Sequence, residues 1–157
     1  MDWELTQNLY EQEELERRKE AERNAIRAQI SVCEEQKAIL EMDLRELTQK
    51  LELQQQEKGK FEQGVSIYQE ERMKKSARLD ELSLLAPYVK IVSGYESMQG
   101  DRIRGSIASN NLQRLEQMST RMQSEIEKNK EKWELLNLEL KQCDQQIENL
   151  YEQLWRI

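Results

Sequence analysis

Histidine is absent from this chain of 157 residues, which removes the imidazole base, the commonest zinc ligand and the Cys–His nucleophile. The only two cysteines, Cys33 and Cys143, lie far apart and form no clustered metal site. Each reads as a small buried hydrophobe, and a disulfide between them requires that a hairpin bring them together. Basic residues are in deficit, with 24 Lys and Arg against 31 Asp and Glu. The resulting net charge of −7 opposes the counterion displacement on which nucleic-acid binding rests. No stretch approaches the ~18 consecutive apolar residues of a membrane span. The opening Met-Asp-Trp-Glu-Leu also lacks the basic and apolar regions of a signal peptide. The expectation is a cytoplasmic chain without membrane insertion, exported, if at all, by a route that reads no cleavable signal. With one Pro, five Gly and a single Phe, few positions can turn the chain or fill a globular core.

What is present is a composition for long helices: 35% of residues are charged and 37% hydrophobic. From Leu112 a series interrupted only by the polar Ser119 and Asn129 steps alternately three and four: Leu115, Ser119, Met122, Ile126, Asn129, Trp133, Leu136, Leu140, Cys143, Ile147, Leu150, Leu154 and Ile157. A spacing of 3.5 sustained in this way predicts a helix that packs one narrow seam against another helix. A second seam runs from Ile26 through Ile30, Cys33, Lys37, Leu40, Leu44, Leu47, Leu51, Gln54, Lys58, Phe61, Val65, Tyr68 and Arg72. It weakens at Gln54 and Lys58, where Gly59 and Gly64 each cost a helix about 1 kcal/mol relative to Ala. The helix is expected to bend there and continue, the alternative being a true break and a three-helix arrangement.

Pro87 should end the first arm near Ala86. Residues 87–111 hold three of the five glycines and the apolar Tyr88, Ile91, Tyr95 and Met98, and read as a connector that packs on the bundle end or is covered by another protein. Ser109 or Asn110 would cap the final arm. The expected fold is therefore all-α, one elongated antiparallel helical hairpin over 1–157, with arms 1–86 and 112–157. Folding back at the connector lays Ile157 near Ile30, so about the first 25 residues overhang by on the order of 35–40 Å. Trp3, Leu5, Leu9 and Tyr10 sit at the tip of that overhang. They should meet a second copy, a different chain, or the chain's own end around Tyr151, Leu154 and Trp155.

Two long helices around a Gly-containing turn with an aromatic nearby resemble the Trp-X-Gly hairpin proteins of the type VII (Esx) secretion system, and in particular the helical proteins associated with LXG-type toxins. The tripeptide Met98-Gln99-Gly100 stands at the turn position, with Tyr95 three residues earlier. The turn Trp of the family is absent. The Tyr-X-X-X-Asp/Glu signal that follows the final helix in some members has its counterpart at Tyr10–Glu14, at the opposite end. The resemblance implies a partner that binds the helical N-terminal domain of a toxin and helps target it for secretion.

The residues themselves favour no catalysis and no cofactor, because a hairpin seam offers no dry concave site to shift carboxylate pKa values. They point to a helical adaptor or chaperone forming a hetero-oligomer through its seams; that the partner is the product of an adjacent gene is what the resemblance implies. Trp3, Leu5, Leu9, Tyr10, Tyr88, Ile91, Tyr95, Met98, Gly100, Trp133 and Trp155 are the candidate contacts. A self-associating rod or export-apparatus stalk component is the alternative. Lys37, Gln54, Lys58 and Arg72 argue against it, since a parallel homo-oligomer would stack these polar groups on their own copies.

Overall fold

A computed structural model describes residues 2–85, 87–88 and 90–157. Among them are three helices and no strand: α1 (Asp2–Ser83), α2 (Lys90–Arg104) and α3 (Ser106–Arg156). This is the all-α helical hairpin that the two seams predict, α3 running antiparallel to α1. The contacts divide into two units, Met1–Thr48 with Glu131–Ile157, and Gln49–Lys130.

In the first unit Ile26, Ile30 and Cys33 of α1 are buried against Cys143 and Leu150 of α3, with Leu40, Ile147, Leu154 and Ile157 packed around them. The register is set by polar pairs at the edges of this seam. The Trp133 indole N–H donates to Thr48 Oγ1 at 3.0 Å, and Lys37 Nζ meets Asp144 Oδ1 at 2.6 Å. The advance from Trp133 to Asp144 equals the retreat from Thr48 to Lys37, as an antiparallel pair requires.

The second unit buries Leu79, Ala108 and Ile126, the last only 2% exposed. Asn129 Nδ2 donates to Gln54 Oε1 at 2.8 Å, Lys58 Nζ to Gln123 Oε1 at 2.7 Å, and Ser119 Oγ to Glu62 Oε1 at 3.4 Å. α1 passes through Gly59 and Gly64 without a break, so no three-helix arrangement forms.

The chain reverses between Ser83 and Lys90. Leu85 N–H donates to Leu82 O at 2.9 Å and Tyr88 N–H to Leu85 O at 3.0 Å, while Pro87 between them has no N–H to offer. The reversal thus falls at the very start of the expected connector. Residues 90–104 are wound into α2, so Met98 and Gly100 lie within a helix, not at a turn, and Ser109 and Asn110 lie inside α3 and do not cap it. The early reversal also moves the C-terminus two helical turns beyond the expected Ile30, to Arg23, whose guanidinium donates to the Ile157 carbonyl at 3.3 Å.

α2 and α3 are separated only at Gly105. Its N–H donates to Asp101 O and its carbonyl accepts from Ser109 N–H, both at 3.1 Å, so helical spacing crosses the junction. Arg104 fastens the same point to α1 through Ser76 Oγ, Ser76 O and Asp80 Oδ1, and Arg72 Nε donates to Ile103 O. A Cβ at residue 105 would collide with the Asp101 carbonyl, whereas one at Gly100 would meet nothing within 4 Å. Gly105→Ala is therefore expected to destabilise the chain and Gly100→Ala to stabilise it, by roughly 0.5–1 kcal/mol for the latter. Thermal unfolding of the two variants by circular dichroism checks this; an unchanged midpoint for Gly105→Ala would contradict the close contact.

Candidate interaction surfaces

Beyond Arg23, the end of α1 in the first unit has no α3 residue opposite it. Its helix is held by local pairs: Glu14 with Arg18 at 2.6 Å, Glu16 with Lys19 at 3.3 Å, and Glu20 with Arg23 and Arg27 at 3.2 Å each. Those three and four residues apart support a helix that packs on nothing. The Arg23 guanidinium, with Arg27, holds the Glu20 carboxyl below its ordinary range. At the tip Trp3 is 76% exposed, and Leu5, Leu9 and Tyr10 are exposed with it. Tyr151 lies in the same unit, its hydroxyl donating to Glu34 Oε1 at 3.2 Å. Trp155 is 88% exposed, so it shelters nothing at the tip.

The second surface is the turn end of the second unit. Tyr88 and Ile91 are 85% and 84% exposed, and Leu84 and Leu85 stand exposed before them. These residues do not close the hairpin core. Tyr95 and Met98 of α2 are half exposed. The contribution of Leu84 and Leu85 was hidden in the sequence, where they continue the apolar series from Leu79 and Leu82. The available signal was their spacing: adjacent leucines cannot both face one seam.

Two of the expected contacts are less exposed. Trp133 is partly buried with its N–H bonded to Thr48, and Gly100 is a half-buried helical residue with open space around it. The polar seam residues find partners within the chain: Lys37 with Asp144, Gln54 with Asn129, Lys58 with Gln123 and Glu62, and Arg72 with the Ile103 carbonyl. They therefore supply no argument for a foreign acidic chain.

Burial, with Cys33 nearby, pushes the Cys143 thiol up; acceptance of its proton by Glu34 raises Tyr151; and the hydrogen bond to Asp144 raises Lys37. Each group holds its proton more tightly when folded, so its contribution is complete below its ordinary value and lost as pH climbs through the raised one. Those ordinary values are 9.0, 10.0 and 10.5. From neutral pH the melting midpoint should stay level to about pH 9 and then fall, and Cys143→Ser should delay the onset. A midpoint that is level through about pH 11 would refute these pairings.

The concavities are open, such as a groove of about 410 Å³ lined by Arg72, Met73, Ile103 and Leu112. Among the described residues no group of three or more acidic, Cys or His side chains could hold a metal ion, and no helix is long and apolar enough to cross a membrane. The chain matches no protein-family model, no curated protein and no solved structure.

Proposed function

We propose that this chain is a non-enzymatic helical adaptor that binds a larger cargo protein through the unpaired end of α1. The carrying observation is the exposure of Trp3, Leu5, Leu9 and Tyr10 on the stretch of α1 before Arg23, the residue bonded to Ile157. Aromatic and leucine side chains on a preformed helix suit docking into an apolar groove, because the helix has little left to order on binding. The exposed Leu84, Tyr88 and Ile91 supply a second contact. In line with the resemblance to LXG-associated proteins, the cargo in this reading is the helical N-terminal domain of an LXG-type toxin. The chain meets it in the cytoplasm and helps target it for type VII secretion.

The test is light scattering with size-exclusion of the purified chain, alone and mixed with the product of its adjacent gene. A discrete complex with that product supports the reading. A chain that ignores every candidate neighbour and forms its own defined oligomer contradicts it.

Self-association into a structural rod is the second reading, and one observation favours it. Glu11, Glu13, Glu14 and Glu16 precede Arg17, Arg18 and Lys19 on the unpaired helix. Two such helices laid antiparallel set acidic against basic blocks, and the internal pairing of Lys37, Gln54, Lys58 and Arg72 removes the repulsion that would oppose it.

A further inference from the structure

The sequence left open whether its only two cysteines ever meet. They do so in the first unit, on opposite helices and in one core cluster. Cys143 Sγ lies 3.2 Å from the backbone carbonyl oxygen of Cys33, and the next salt bridge along, Lys37 to Asp144, fixes α1 against α3 at this level. The Cys143 sulfur thus stands against the Cys33 backbone, which brings the two cysteines to one level on facing helices. Access differs between the two thiols. Cys143, though itself mostly buried, lines an open groove of about 360 Å³ together with Gln36, Ile39, Leu40 and Glu139. Cys33 does not line it.

The geometry points to Cys33 and Cys143 as a redox-active pair that closes to an intramolecular disulfide and clamps α1 to α3. The oxidant is a small disulfide, since the groove admits small molecules and the site contains no electron acceptor of its own. Cys143, the thiol in contact with the groove, loses its proton, a step that its burial slows, and its thiolate attacks one sulfur of the oxidant, breaking the S–S bond and releasing one thiolate. Cys33 then loses its proton and attacks the Cys143 sulfur of the mixed disulfide, expelling the second thiolate. Both released thiolates take up protons. The two cysteines are oxidised by two electrons, and the oxidant is reduced to two thiols.

The inference stands apart from the adaptor reading, because it concerns residues within the hairpin core. Its test is incubation of the full chain with oxidised glutathione under native conditions, followed by intact mass, peptide mapping and thiol titration. The expected product is a monomer that has lost two hydrogens, with Cys33 and Cys143 joined, no glutathione retained, and a rate independent of protein concentration. Linking distant points should raise the melting midpoint by at least about 5 °C. Cys33→Ser should halt at a glutathione adduct on Cys143. Four results overturn the pair: thiols that stay reduced under conditions that oxidise the denatured chain, an adduct that never resolves, bridges between chains, or a bridged monomer that melts lower than the reduced one.

Discussion

Replacement of Ile126 by Asp is expected to abolish cooperative unfolding of the second unit and most of its helical signal. Ile126 is 2% exposed, deeper than Leu79 or Ala108, the other residues buried in that unit. The substitution removes a side chain whose burial contributes roughly 2–3 kcal/mol and leaves a carboxylate without a cation in the seam. The neighbouring basic group in the seam, Lys58, already bonds Gln123 and Glu62. A total cost of about 4 kcal/mol or more is a large share of the stability of an ordinary domain. Ile126→Ala separates packing from charge: it should lower the midpoint while leaving one cooperative transition. Circular dichroism and differential calorimetry of both variants decide the matter, and a native melting curve for Ile126→Asp would remove the seam from the account.

The opposite result is expected from removing residues 1–22. These residues lie beyond Arg23, the last α1 position bonded to the C-terminal Ile157, and Ile26 and Ile30 behind it remain in place. Helicity per residue and the melting midpoint should change little, within about 5 °C. Partner binding should fall by about 100-fold or more, because truncating several large apolar contacts at the centre of a helix-in-groove interface removes about 1–2 kcal/mol each. A full-length variant with Trp3, Leu5, Leu9 and Tyr10 all changed to Ala should reproduce the loss without shortening the helix. Unaltered binding by that variant would shift the contact to Leu84, Tyr88 and Ile91.

The seams were legible because each is a local repeat. Every seam residue from Leu112 to Ile157 is buried or half-buried, and in the α1 seam only Tyr68 is exposed. The position of the reversal was less legible. Gly94, Gly100 and Gly105 with Tyr95 and Met98 have the texture of a turn, yet only Gly105 interrupts a helix, and the reversal belongs to the residues around Pro87. A glycine marks a turn only where backbone or neighbouring atoms demand it, and a Cβ added at Gly94 or Gly100 would meet nothing within 4 Å. The partners of Lys37, Gln54, Lys58 and Arg72 were hidden for a different reason. They depend on the register of two segments that lie up to 107 positions apart, as Lys37 and Asp144 do, and register follows only once the reversal is placed. The exposed tip at Trp3 to Tyr10 was foreseeable from unequal arm lengths, while Leu84 and Leu85 were masked by the apolar series leading to them.

A hairpin that closes on itself and offers the end of α1 to another protein has a clear signature in multi-angle light scattering of the chain and of its 1–22 deletion, each alone and with the adjacent gene product. Both forms should be folded, and only the full chain should give a discrete complex. A deletion that unfolds, or that forms the complex as tightly as the full chain, would contradict this reading.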